Sequence, residues 1–142
     1  MFAKQLSVFI ENRSGRLSDV LGALAEGGVN ILSLSLADTT EFGLLRLIVD
    51  NSALAKKTLS DKGFSSLLSD VCIIKIAHKA GSLGDFLNLM DDSGVNIEYM
   101  YGLSVRSDDA CIVMKASDKE KLSDIIKRAG IETLSCEDIE SL

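Results

Sequence analysis

Two glycine turns in this chain have the make-up of a corner that could bind an anion. Ser14-Gly15-Arg16-Leu17 and Ala80-Gly81-Ser82-Leu83 each put a glycine just ahead of an apolar helical stripe. The first N–H groups of a helix lack partners within it, and the helix dipole favours negative charge there. Glycine lets the backbone approach a ligand closely. Further along, Gly28-Val29-Asn30-Ile31 and Gly94-Val95-Asn96-Ile97 each supply an amide side chain. An amide both donates and accepts, so it suits a small zwitterion. Each Asn can equally cap the turn from helix to strand.

Other polar residues stand near these corners. Arg13, Arg16 and Lys79 are loop cations able to attract a carboxylate, with a solvated surface role as the default. His78 is the sole histidine and sits at the repeat position of Asn12. It can meet a carboxylate, titrate near neutrality, or simply lie on the surface. Tyr99 and Tyr101 share a strand face. They can wall a pocket or pack between sheets, and Ser33 and Ser35 are their counterparts. No Ser/His/Asp or Cys/His arrangement, metal-ligand spacing or phosphate loop is evident. Catalysis, a metal and a cofactor are therefore not expected.

The elements that must hold these residues occur twice. Gly81 follows Gly15, and Gly94 follows Gly28, by the same 66 positions. A repeat of that length is a whole small domain. The expected domains are residues 1–69 and 70–142, with no linker composition between them. Domains this small gain from pairing, so the halves are expected to pack on each other.

In the first copy Leu6, Val8 and Ile10 alternate as in a strand, and Asn12-Arg13-Ser14-Gly15 makes a turn. Leu17, Val20, Leu21 and Leu24 form a helical stripe ended by Gly27-Gly28. Strands follow at 31–37 and 44–49, joined through a connection at 38–43. A weakly striped helix capped by Ser52 runs to about Lys62, and a short strand covers 64–68.

The second copy repeats this order. A strand at 71–78 precedes a helix striped by Leu83, Phe86, Leu87 and Met90. A hairpin of 97–105 and 110–115 turns at 106–109. A helix with a Ser117/Glu120 capping box carries Leu122, Ile125, Ile126 and Ala129 inward. Gly130 ends it, a last strand covers 131–135, and Ser135 with Asp138 can cap a terminal turn. The fold class is α+β: two ferredoxin-like βαββαβ units, each an antiparallel sheet with helices on one face.

Composition narrows the partners. The chain has 142 residues, a net charge of −6 and 46% hydrophobic residues. An acidic chain repels phosphate backbones, so nucleic acid is not an expected partner. No apolar run reaches the roughly 20 residues needed to span a bilayer. The opening Met1-Phe2-Ala3-Lys4-Gln5-Leu6 has no signal-peptide segment, which points to a cytoplasmic location. Cys72, Cys111 and Cys136 are expected as free thiols. The central strands are apolar on both phases, so both sheet faces are expected to find cover, between units or in a homodimer.

The βαββαβ order, the glycine turn into the first helix and the Gly-Val-Asn-Ile opening of the second strand resemble the ACT domain, in two tandem copies over nearly the whole chain. Asn96-Ile97-Glu98-Tyr99-Met100-Tyr101 resembles the second half of stand-alone tandem-ACT proteins, which carry no catalytic domain. The best-known ACT turn reads Asp-x-Pro-Gly before a Leu. Here Asn12 and His78 replace the acid, and Ser14 and Ala80 replace the proline, while the glycines and Leu17 and Leu83 remain. The resemblance implies a non-catalytic regulatory module whose effector is a free amino acid bound at the interface between ACT units, acting on a separate enzyme or regulator. It implies that Asn30 and Asn96 face the effector; with the residues read above, the candidate ligand contacts are Asn12, Arg13, Ser14, Gly15, Arg16, Leu17 and Asn30, and His78, Lys79, Ala80, Gly81, Ser82, Leu83, Asn96, Tyr99 and Tyr101. The alternative is a ligand-free interaction module.

Overall fold

The computed structural model describes residues 1–38, 41–104 and 108–142. Thr39 and Thr40 of the expected first connection, Val105 at the end of the expected strand 97–105, and Arg106 and Ser107 of the second turn lie outside the described residues. The chain forms two compact units. The first unit comprises Lys4–Asp70 with Ile139–Leu142, and the second comprises Met1–Ala3 with Val71–Asp138.

The first unit contains most of β1 (Phe2–Glu11), then α1 (Arg16–Glu26), β2 (Ile31–Asp38), β3 (Phe42–Val49), α2 (Ser52–Asp61) and the start of β4 (Ser65–Ala77). β3 lies between β1 and β2 and is antiparallel to both. Leu6 faces Leu47 and Val8 faces Leu45 across the β1–β3 ladder. Facing residues share one side of a sheet. These four, with Ile10 and Val49, pack under Val20, Ala23 and Leu24 of α1 and Ala55 and Leu59 of α2. Each fully buried leucine stabilises the fold by roughly 1.5–3 kcal/mol. Lys4 of β1 and Asp70 of β4 form an ion pair at 2.6 Å.

The second unit contains the rest of β4, then α3 (Ser82–Asp92), β5 (Ile97–Leu103), β6 (Asp109–Ala116), α4 (Lys119–Ala129) and β7 (Glu132–Thr133). Here β6 lies between β4 and β5, and β7 pairs with β4 through Ile74↔Thr133. Cys72, Ile74 and Met114 form the sheet side of a core completed by Phe86, Met90, Leu122 and Ile126. The short α5 (Cys136–Glu140) follows. Its start is held as expected: Ser135 N–H donates to Asp138 Oδ2 at 2.7 Å, and Asp138 N–H returns a bond to Ser135 Oγ at 3.2 Å.

Both faces of the central strands carry buried residues. Ile73 and Val113 face each other on the side away from the helical core, and both are fully buried. In the first unit Ile48 and the polar Gln5 and Ser7 are buried on the corresponding side.

Several local expectations are corrected. Residues 64–68 and 71–78 are not two strands, because Ser65–Ala77 runs as one continuous strand of 13 residues. Nothing between Leu68 and Val71 breaks an extended backbone; Ser69 and Asp70 are polar without being turn-forming glycine or proline. The α2 cap is Asn51, whose side chain accepts from Leu54 N–H at 3.1 Å, in place of Ser52. The α4 cap is Asp118, which accepts from Lys121 N–H at 3.0 Å, in place of Ser117. The expected glycine stop of α1 is present: Gly27 caps it with right-handed geometry and Gly28 turns left-handed (φ +75°). The last strand shrinks from 131–135 to Glu132–Thr133.

Candidate functional site

The two glycine corners are near copies of one another in backbone geometry. Gly15 has φ 87° and ψ −15°, and Gly81 has φ 89° and ψ −14°. This left-handed conformation is costly for any residue with a Cβ. The hydrogen bonds around them also match position for position. Arg13 N–H donates to Glu11 C=O at 2.8 Å, and Lys79 N–H to Ala77 C=O at 3.0 Å. Asp19 N–H donates to Gly15 C=O at 3.0 Å, and Asp85 N–H to Gly81 C=O at 2.9 Å. The glycine carbonyls are therefore committed to the helix, while the turn itself stays exposed. Neither glycine is backed by a side-chain cap.

In the first unit a pocket of about 220 Å³ opens beside the corner. Asn12, Arg13 and Leu17 line it, with Ile10, Leu36 and Ala37 supplying apolar walls. Ser14 and Gly15 sit exposed on the turn. Arg13 extends towards Glu11, with Nε 2.6 Å from Oε2. Arg16 turns instead to its own helix and to Phe64: Nη1 is 3.4 Å from Asp19 Oδ2, and the guanidinium carbon is 4.6 Å from the Phe64 ring centre.

Gly43 also lines the pocket and was not anticipated from the sequence. A Cβ there would come within 3.1 Å of Ile10 Cγ1 and 3.4 Å of Leu36 Cδ1, so glycine leaves these walls room to meet. Leu36 and Ala37 were not anticipated either. They reach the corner through cross-strand register, Leu36 opposite Leu45 and Ala37 opposite Leu44, which no local motif encodes.

In the second unit His78, Lys79, Ala80 and Gly81 are exposed, and Ser82 and Leu83 are half-buried. Ser82 Oγ is buried and has no hydrogen-bond partner among the described residues. Near this corner Lys75 lies 3.4 Å from Asp109 and 3.6 Å from Glu132. Chiefly Glu132, together with Asp109, holds its ammonium above the ordinary lysine range.

Asn30 and Asn96 do not join the corner of their own unit. Asn30 exchanges backbone hydrogen bonds with Asp50: its C=O accepts from Asp50 N–H at 3.1 Å, and its N–H donates to Asp50 Oδ1 at 3.0 Å. Asn96 does the same with Ser117, at 2.8 Å and 3.2 Å. Both stand at the far end of the central strand. Gly43, beside the corner, pairs with Ile10, whereas Val49 pairs with Ile31. At about 3.3 Å per residue the two ends lie roughly 20 Å apart. Both Asn residues are exposed, and the helix-to-strand turn is held by their backbones. Tyr99 and Tyr101 face Lys115 and Val113 on the side of the sheet away from the helices. They too are placed by strand β5, away from the glycine turn.

Among the described residues no group of three or more His, Cys, Asp or Glu is placed to hold a metal ion. Among them, too, no helix is long and apolar enough to cross a membrane.

The profile of the family described as "ACT domain pair" matches residues 1–142. Protein BT0572 from Bacteroides thetaiotaomicron has a solved structure that is 36% identical, with a TM-score of 0.93, over 100% of this chain and 98% of that one. The ligand-free regulatory subunit of aspartate kinase from Thermus thermophilus is 17% identical, with a TM-score of 0.63, over 89% of this chain and 91% of that one. The corresponding subunit from Thermus flavus is 17% identical, with a TM-score of 0.59, over 89% and 92%. At that identity the Thermus structures share the fold and no more. No curated protein matches the chain.

Proposed function

This chain belongs to the ACT domain pair family, and from that footing we propose that it is a non-catalytic regulatory module. It binds a free amino acid and passes that event to a separate enzyme or regulator of amino-acid metabolism. The observation that supports this most is the corner of the first unit, where an exposed glycine turn and an open pocket adjoin. The Arg13 guanidinium and the positive end of the α1 dipole suit a carboxylate. Asn12 offers an acceptor for an ammonium. Ile10, Leu17 and Leu36 suit an apolar side chain.

Size agrees with this chemistry. A pocket of about 220 Å³ holds roughly seven waters at about 30 Å³ each. It lies below the roughly 300–1,000 Å³ of sites for larger organic ligands. The remaining expected contacts, from Asn30, Asn96, Tyr99, Tyr101 and the Gly81 corner, need a different arrangement. Within one unit the amide and the corner are too far apart to grip one small molecule. A ligand that uses both must therefore be shared by two ACT units, within a chain or in a homodimer.

The test is calorimetry of refolded, ligand-free protein against the twenty amino acids. One or a few should bind, and Arg13→Ala should weaken binding about tenfold or more, the scale of a charge-assisted hydrogen bond. Silence from all twenty counts against the reading. The exposed Phe9, Leu34, Leu36 and Phe42 favour a second reading, a ligand-free interaction module. Recovery of a stable protein partner whose binding no amino acid alters would select it.

A further inference from the structure

We propose that the second unit carries a groove for a guanidinium group, separate from the glycine corner and independent of the reading given for it. The first unit supplies the template. There Arg16, the opening residue of α1, lays its guanidinium beside Phe64 and reaches Asp19. Its side chain is 24% exposed. The depression lined by Arg16, Asp19 and Phe64 measures about 360 Å³.

Sixty-six positions on, the same places hold Ser82, Asp85 and Gly130. The acid is kept. The guanidinium and the aromatic ring are both gone. A wider groove of about 560 Å³ lies there, edged by Ser82, Asp85, Phe86, Leu89, Gly130 and Glu132. The second unit has thus lost the two large side chains that narrow this place in the first, and has retained the carboxylate that received the cation.

The chemistry of the lining selects the ligand. Among the described residues Asp85 has no ion-pair partner. The one lysine at the rim, Lys75, is neutralised by Asp109 at 3.4 Å and Glu132 at 3.6 Å. The lining therefore carries net negative charge and attracts a cation. Phe86 and Leu89 give an apolar wall for a planar, weakly hydrated group or its alkyl stem. Among the described residues Ser82 Oγ lies buried without a partner, as does Arg16 Nε at the matching place of the first unit, an uncommon state for a polar atom. Ser82 and Asp85 line the same groove, so one ligand can meet both. A guanidinium offers five donors in a fixed fork, enough to serve both Asp85 and Ser82. The occupant is a free guanidino compound of about the size of arginine.

The experiment titrates the full chain with L-arginine, with its decarboxylated amine agmatine, and with citrulline, the neutral isostere. Arginine and agmatine should bind and citrulline should not. Ser82→Arg restores the side chain that the first unit has at this position, and should fill the groove and abolish binding. Asp85→Asn should weaken binding at least tenfold while leaving the fold intact. Arg13→Ala should leave the binding of agmatine, which has no carboxylate for the Gly15 corner, unchanged. Absence of binding by both arginine and agmatine at millimolar concentration overturns the proposal. So does binding that survives both Ser82→Arg and Asp85→Asn. Arginine binding lost in Arg13→Ala but kept in Ser82→Arg also overturns it, and assigns the ligand to the corner of the first unit.

Discussion

Replacing Gly15 with alanine isolates the feature on which the corner depends. An added Cβ at Gly15 meets nothing within 4 Å, so sterics with neighbours contribute nothing. What remains is backbone conformation. At φ +87° an L-residue costs about 1–2 kcal/mol. Alanine also narrows the unfolded ensemble, which offsets about 0.4–1 kcal/mol. The net expectation is destabilisation of about 0–1.6 kcal/mol, centred near 0.8. Gly22, inside α1, is the control. Its added Cβ also meets nothing within 4 Å, but its φ is not positive. Alanine there should stabilise by about 0.5–1 kcal/mol, the ordinary gain over glycine in a helix. The two variants thus carry opposite signs. Urea unfolding followed by circular dichroism reads them as shifts in midpoint at constant slope. Gly81→Ala should repeat the loss, and Gly15→Ala with Gly81→Ala should add, because the sites lie in different units and share no partner. If Gly15→Ala stabilises the protein as Gly22→Ala does, the left-handed corner does not exist and the reasoning about the site falls with it.

Three further outcomes follow from the same structure. Asn51→Ala and Asp118→Ala should each cost about 1 kcal/mol of stability, while Ser52→Ala should cost a few tenths; thermal unfolding of the three variants checks the cap assignment. The bonds from Ser135 N–H and Oγ–H hold Asp138 below its ordinary value of 3.8. A depressed folded value contributes stability above the unfolded value that is lost as pH falls through the folded one. The urea midpoint of Asp138→Asn should therefore be flatter than that of the parent below about pH 4. Burial pushes the Cys72 thiol up to about 11. At pH 8 only about one such group in a thousand is a thiolate. Iodoacetamide should label half-buried Cys136 first and reach Cys72 only on unfolding, as peptide mapping would show.

Much of the architecture is legible in the sequence because repetition and periodicity are local signals. The 66-residue offset announced two sister modules. The stripe Leu17, Val20, Leu21, Leu24 and the alternation Leu6, Val8, Ile10 named a helix and a strand that do share one core. The caps were displaced by one residue because Asn51-Ser52 and Ser117-Asp118 each offer two neighbouring side chains competent to cap. Only the backbone conformation decides between them. β4 was divided in two because a polar pair at Ser69-Asp70 reads like a junction.

By itself the sequence determined the type of module, the doubled glycine corners and the acidic, aliphatic character of the chain, since each is carried by residues near one another along it. Only the tertiary structure decided what stands beside those corners. Asn30 follows Gly15 by a single helix, yet that helix carries the chain about 16 Å along the sheet and leaves the amide at the opposite end. Leu36, Ala37 and Gly43 are remote in sequence from Asn12 and Arg13, yet strand register brings them to one pocket. The exchange of Arg16 and Phe64 for Ser82 and Gly130 is visible as letters, but its meaning required seeing that the first pair shares one depression. Distance along a chain and distance in space are linked within an element and unlinked between elements, because cross-strand pairing and packing join residues that no local pattern connects.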